Sequence, residues 1–292
     1  MEKSTPFFCT GNSAEKGFFY SVNGTERKST VDYWDENWRR TSDDKDAPDL
    51  NQRDSYYWRR MDRVLEKSFM GLDTGHGSLI ELGVGTSEWL PYLHRRFGFS
   101  VTGLDYSEVG CKRAQDNLAR TSTPGHIYHA DMFKPPANLR QQFDVVVSFG
   151  LVEHFSDTAS AIAACADYAK PGGLVFTLIP NMSGLYGWLY RVFDRKVYDI
   201  HVPLTLKDLR RAHRDAGLEL VLGEHILGVP GVIDRQRVEP VLMRRLLRKV
   251  VYTFSRFAWA IEERGWGVPE NAFTSPYMVC VARKSVQLSE TT

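Results

Sequence analysis

From Ser78 onward the chain alternates short, almost wholly apolar runs with amphipathic stretches: "LIELGVG", "SVTGLDYS", "HIYHADMF", "FDVVVSFG" and "LVFTLIPN". Runs that are apolar at consecutive positions belong to strands buried on both faces. Their alternation with helical segments predicts a mostly parallel, doubly wound α/β sheet. Thr86 or Ser87 is placed to cap the first helix, and Ser107 precedes the second, "SEVGCKRAQDNLART". A later helix is expected at Leu206 to Ala216, and "LELVLGEHI" and "YMVCVARK" read as two further strands.

The first 75 residues are polar, aromatic and charged, and read as an N-terminal helical cap. It has helices at Tyr33 to Arg40 and Ser55 to Met70, with "TSDDKDAPDLNQRD" as an exposed loop between them. Residues 76–292 then form the sheet domain, with insertions at 181–205 and 227–276. The second insertion carries Leu242, Leu246, Val250, Phe254 and Phe257 at helical spacing, interspersed with Arg244, Arg245, Arg248, Lys249 and Arg256. This predicts a basic amphipathic helix over 241–262, which packs with a solvated basic face or meets an anionic or lipid-like partner.

Composition changes the picture only by exclusion. The chain has 292 residues, 42% hydrophobic and 25% charged, with a formal net charge of +1. It has no global bias toward nucleic acid or an anionic membrane. Cys9, Cys111, Cys165 and Cys280 form no CxxC or Cys/His cluster, so neither zinc nor a disulfide framework is expected. No apolar run approaches the roughly 20 residues of a membrane helix, and the start lacks a secretory pattern, so a cytoplasmic location is expected.

The chemistry gathers at the strand ends. In a doubly wound sheet, ligands bind beyond the carboxyl ends of the strands. The first turn, "ELGVGTS", carries Gly83 and Gly85 there, and glycines let a ligand approach the backbone. Asp105 ends the second strand, where a carboxylate can accept from both hydroxyls of a ribose. Asp131 ends the third, where it can accept from an adenine amino group while Met132 packs on the ring. These acids in sequence order indicate an adenosine-containing ligand. A nicotinamide dinucleotide is disfavoured because Glu88 stands where its fingerprint wants a third glycine. Glu81 suits a cationic ligand better than a diphosphate.

Together, "ELGVGTS", "GLDYS", "ADMF", "FDVVVSFGLVEHF" and "YAKPGGLVFTLIP" resemble the class I S-adenosylmethionine-dependent methyltransferases, over roughly Ser78 to Lys284. The resemblance implies a Rossmann-like methyltransferase sheet closed by a final antiparallel hairpin, with S-adenosylmethionine as co-substrate. It implies that Gly83 and Gly85 contact the cofactor through backbone, that Glu81 lies near the methionine part, and that Asp105 binds the ribose beside Tyr106. Asp131 and Met132 would bound the adenine, and Ser148, Phe149 and Gly150 would floor the methionine part.

Methyl transfer from a sulfonium is an in-line displacement, so alignment and exclusion of water matter most, and no metal is expected. A hydroxyl or amine acceptor still needs a base. His154, just past the fourth strand, is the best candidate, and His201 follows the first insertion. Either could instead serve its loop. The aromatic residues Tyr33, Trp34, Trp38, Tyr56, Tyr57 and Trp58 form a lid over the sulfonium or anchor the cap. Tyr186, Trp188, Tyr190 and Arg191 offer a substrate wall.

The expected reaction is O- or N-methylation of a small molecule, anionic or partly apolar. Nucleic acid is disfavoured because no Asn-Pro-Pro-type tetrapeptide or Pro-Cys nucleophile follows the fourth strand. The alternatives are aminocarboxypropyl transfer or intramolecular cyclisation releasing methylthioadenosine, and a non-catalytic module that binds S-adenosylmethionine. The acceptor and the oligomeric state are not legible in the sequence.

Overall fold

The computed structural model describes residues 21–22, 25–40, 56–229, 249, 253–261, 264 and 269–286. A two-stranded ribbon, β1 (Ser21–Val22) and β2 (Thr25–Glu26), leads to helices α1 (Val31–Arg40) and α2 (Tyr56–Ser68). Seven strands form the main sheet. These are β3 (Ser78–Leu82), β4 (Ser100–Asp105), β5 (Gly125–His129), β6 (Phe143–Phe149), β7 (Ala169–Pro180), β8 (Leu218–Ile226) and β9 (Tyr277–Lys284). Their order is β5-β4-β3-β6-β7-β9-β8. β3 to β7 run parallel, and β9 inserts antiparallel between β7 and β8. The mostly parallel sheet is the one the pattern predicts, and the closing antiparallel hairpin is the one the resemblance implies.

The remaining helices are α3 (Trp89–Phe97), α4 (Glu108–Arg120), α5 (Thr158–Ala166), α6 (Leu185–Phe193), α7 (Arg195–Asp199) and α8 (Leu206–Asp215). Strand alternation divides the core in two. Leu79, Val145, Val147, Phe176 and Val281 face α2, α3 and α4 through Met61, Leu65, Leu93 and Leu118. Ile80, Val146, Val175 and Cys280 face α5 and α8 through Ile162 and Leu209. Burying one side chain of this kind contributes about 1.5–3 kcal/mol, which is why the strands read as unbroken apolar runs. The second core also encloses His213, whose Nδ1 lies 2.8 Å from the Leu209 carbonyl oxygen and whose Nε2 lies 3.1 Å from Thr177 Oγ1. Burial pulls its pKa down to about 4.

Local signals set the helix starts. Ser87 Oγ accepts from the Trp89 N–H (2.9 Å), and Ser107 Oγ accepts from the Gly110 N–H (2.9 Å). Thr205 and Asp208 form a reciprocal capping box at α8. Two expectations shift. β5 stops at His129, so Asp131 lies two residues beyond the strand rather than ending it. Residues 253–261 are helical, but Phe254 and Phe257 are 60% and 65% exposed, while Ser255 and Ala258 face inward. The small residues let this helix seat closely, with Trp259 stacked on Tyr56 at 5.6 Å. The loop 41–54, Cys9, Leu242, Leu246, Val250, Arg244, Arg245 and Arg248 lie outside the described residues.

Candidate active site

The glycine turn is tied to the end of β4. Gly83 and Val84 donate their N–H groups to the Leu104 carbonyl (2.8 and 3.1 Å), and the Gly85 N–H donates to Asp105 Oδ2 (2.8 Å). The Ser107 N–H donates to Asp105 Oδ1 (2.8 Å), so both oxygens of this buried carboxylate are engaged by loop amides. Burial raises its pKa, and those amides work against the rise. Gly83 and Gly85 have φ of 73° and 45°. A Cβ on Gly83 would lie 2.9 Å from Leu151 Cδ1, and one on Gly85 only 2.5 Å from Trp38 Cζ2. Glycine at Gly85 therefore admits an indole from α1 directly onto the turn.

Glu81 sits beneath this turn, 2% exposed, and lines neither cavity described below. The Ser87 hydroxyl donates to it at 2.5 Å while accepting from the Trp89 N–H, so Glu81 anchors the start of α3. Burial pushes its pKa up to about 8, with the Ser87 bond opposing and Asp105 adding to the rise.

Two cavities open at the strand ends. The smaller, of about 70 Å³, is lined by Gly83, Asp105, Tyr106, Phe149, Gly150 and Trp34, among others. Arg27 reaches into it: its guanidinium lies 4.7 Å over the Tyr106 ring and 2.5 Å from Asp131 Oδ1. The arm carrying Arg27 makes a single antiparallel bridge to Phe155 in the loop after β6, the Lys28 N–H donating to the His154 carbonyl and the Ser156 N–H to the Glu26 carbonyl (2.8 and 2.9 Å). Arg27 thus stands between Tyr106 and Asp131, where the resemblance places an adenine. Nothing in the sequence around Arg27 signals this. Met132 is buried in the second core, lines neither cavity, and gives its carbonyl to the Tyr168 hydroxyl (3.2 Å). Ser148 is 1% exposed, and its Oγ has no partner among the described residues.

The larger cavity, of about 330 Å³, is walled by Tyr57, Trp89, Phe149, Tyr186, Tyr190 and Tyr277 and roofed by Trp34 and Trp38. Trp89 stacks on Phe149 at 4.5 Å, and Trp34 stacks on Trp38 at 5.4 Å. Trp34 Nε1 donates to Ser29 Oγ (2.8 Å), which holds the indole edge-on against His154 (5.0 Å). Of the other aromatic candidates, Tyr33 rests edge-on against Trp34, and Tyr56 belongs to the first core, with Trp58 packed against it. Trp188, 56% exposed, and Arg191 lie outside both cavities.

The structure brings the two histidines together. His154 ends a short 3-10 turn after β6, His201 follows α7, and their ring centroids are 4.4 Å apart. Close to both lies Glu153, one ligand atom of each of the three residues falling within 4.8 Å of the others. It is 1% exposed, lines the larger cavity, and has both carboxylate oxygens without a partner among the described residues. Burial pushes its pKa up to about 8. The signal for it was the Glu-His pair just past β6, an acid set in the otherwise apolar run "GLVEHF".

Fold and site together define a doubly wound domain whose strand ends carry two adjoining cavities, the larger walled by aromatic side chains. Residues 52–222 match the family model described as "Methyltransferase domain", and the chain belongs to the class I S-adenosylmethionine-dependent methyltransferases. It is similar to a ubiquinone biosynthesis O-methyltransferase of Aromatoleum aromaticum, 31% identical over 130 residues, covering 42% of this chain and 56% of the relative. A second, of Nitrosospira multiformis, is 26% identical over 196 residues, covering 64% and 76%. The chain thus spans little more than half the length of the first of these relatives. Among solved structures, a chain of the complex with the Haloferax volcanii Trm112 methyltransferase activator superposes with a TM-score of 0.55 at 18% identity, covering 87% of this chain and 97% of that one. At that identity the likeness shows the fold.

Proposed function

We propose that this chain methylates a hydroxyl of a small, largely aromatic acceptor, using S-adenosylmethionine as donor. The observation that carries the reading is that Trp34, Trp38, Phe149, Gly150 and His154 wall both cavities. A donor in the smaller cavity and an acceptor in the larger therefore meet at one shared partition, the geometry that an in-line displacement needs. Gly83 and Gly85 would meet the donor through backbone. Asp105, held by two amides, would accept from its ribose, and Glu81 would act from beneath by fixing the turn. Phe149, Gly150 and Trp34 would line the reacting end and exclude water.

Oxygen is favoured over nitrogen because the curated relatives are named O-methyltransferases. An anionic acceptor is disfavoured: among the described residues lining the larger cavity there is no Lys or Arg. Loss of the acceptor's proton falls to the group formed by Glu153, His154 and His201. A cavity of about 70 Å³ is far below the roughly 300 Å³ or more of a pocket that takes a whole small-molecule ligand. Arg27 therefore has to leave the place between Tyr106 and Asp131 when the donor enters.

Incubating the protein with S-adenosylmethionine and phenolic acceptors, then identifying products by mass, tests the reading. Adenosylhomocysteine together with an acceptor heavier by one methyl is the expected result. Methylthioadenosine would replace methyl transfer by aminocarboxypropyl transfer or cyclisation, and absence of any binding would remove the donor assignment.

A further inference from the structure

Among the described residues, Glu153 is the buried acid left with neither carboxylate oxygen paired. Its carboxylate lies on the wall of the larger cavity. A carboxylate so placed is costly unless a cation completes it, and among the described residues the cavity wall supplies no Lys or Arg.

The two neighbouring imidazoles are each fixed by Nδ1 on a backbone carbonyl. His154 Nδ1 lies 2.8 Å from the Ile200 carbonyl oxygen, and His201 Nδ1 lies 2.6 Å from that of Val197. A carbonyl only accepts, so each ring carries its proton on Nδ1 and, when neutral, its lone pair on Nε2. Histidines that bind metals are fixed in the same way, with the far N–H tied to a carbonyl or carboxylate. One ligand atom from each of Glu153, His154 and His201 falls within 4.8 Å of the others, all three residues being buried.

We propose that Glu153, His154 and His201 bind a divalent transition-metal ion, contrary to the expectation from sequence that no metal is involved. The inference rests on reading the larger cavity as the acceptor site. Two imidazoles and one carboxylate favour zinc, iron, cobalt or manganese over magnesium and calcium, which prefer oxygen throughout. Three protein ligands leave the cavity side of the ion open, where an acceptor hydroxyl can coordinate. Bound there, the hydroxyl loses its proton to solvent near neutral pH. Its oxygen then bonds to the methyl carbon while the carbon–sulfur bond breaks and its electron pair stays on sulfur, leaving adenosylhomocysteine. His154 is on this account a metal ligand, with the ion taking over the task of lowering the acceptor's pKa.

The test is a titration of chelator-treated full-length protein with Co²⁺, read by visible absorption, alongside calorimetry with Zn²⁺. The expected result is one ion per chain, bound tighter than about 10 µM, with a ligand-field band that shifts when a catechol is added. Glu153→Gln and His201→Ala should each abolish the band while changing adenosylhomocysteine affinity by less than about twofold. That second reading keeps failure of the metal site separate from failure of the methyltransferase reading. If either variant misfolds, selective Mn²⁺ broadening of the His154 and His201 ring signals in the wild-type protein decides instead. No Co²⁺ band in the wild-type protein, a band unchanged in the folded variants, or broadening confined to other histidines would overturn the proposal.

Discussion

The two cavities share a partition but satisfy their acids in opposite ways. Around the smaller one, Asp105 takes N–H bonds from Gly85 and Ser107, and Glu81 takes the Ser87 hydroxyl. Around the larger one, Glu153 takes nothing from the described residues. The difference teaches that the acids at the glycine turn are spent on shaping a loop, whereas the larger cavity keeps an acid in reserve. A group of that kind costs stability in the empty protein and is retained where a ligand or reaction needs it.

Breaking the comparison at its larger side should have the largest effect. Replacing Glu153 by Gln is expected to lower kcat about 100-fold or more, the scale of a lost proton-handling group, with adenosylhomocysteine affinity held. A drop of less than about tenfold in steady-state assays would show the acid to be merely buried. On the smaller side, Asp105→Ala should weaken cofactor binding by roughly 10- to 100-fold in calorimetry. It should also lower the melting temperature, because the Gly85 and Ser107 amides lose their acceptor.

A buried group that lines neither cavity sharpens the contrast. His213 has its pKa depressed in the folded state to about 4, against the usual 6.5. The unfolded chain therefore takes up the proton first, and stability that is full above pH 6.5 declines as pH falls toward 4. Between pH 7 and pH 5 the loss should be roughly 2 kcal/mol in urea melts, and His213→Asn should flatten it. A slope unchanged in that variant would move the acid sensitivity elsewhere, including to the cavities.

Smaller effects probe how the roof meets the glycine turn. Gly85→Ala places a methyl group against the Trp38 indole at positive φ and should cost about 1–3 kcal/mol. Adding Trp38→Ala should recover part of that loss, and an additive double variant would show the indole to be irrelevant. The smallest change expected is a gain. Arg27→Ala frees the space between Tyr106 and Asp131 and should tighten cofactor binding about three- to tenfold, since less of the protein is held in a form that excludes the ligand. Weaker binding instead would make Arg27 a contact of the bound cofactor.

What was legible in the sequence was whatever is built locally. The strand runs, the glycines of the first turn and Asp105 follow one another along the chain, and their spacing alone places them at the strand ends. His154 and His201 were recognisable singly, but their 4.4 Å approach depends on α6, α7 and the loop after β6 folding back over the sheet. Arg27 was invisible because its partners, Tyr106 and Asp131, are distant in sequence and meet it only through β-bridging to Phe155. Phe254 and Phe257 misled for the opposite reason: helical spacing marks one face but does not say whether that face is turned inward.

The position of β9 has a consequence for how the molecule comes into being. This strand slots between β7 and β8, and it brings Tyr277 to the wall of the larger cavity. Until residues 277–284 have left the ribosome, β7 and β8 can have no common neighbour, and each presents an unpaired hydrogen-bonding edge. Chain growth thus passes through an interval in which the parallel half of the sheet can assemble but the antiparallel half cannot, a window open to sticking or to early chaperone capture. Closure of the aromatic wall accordingly waits on β9, and the turn that ties Gly83 and Gly85 to the end of β4 can form before the wall of the larger cavity does.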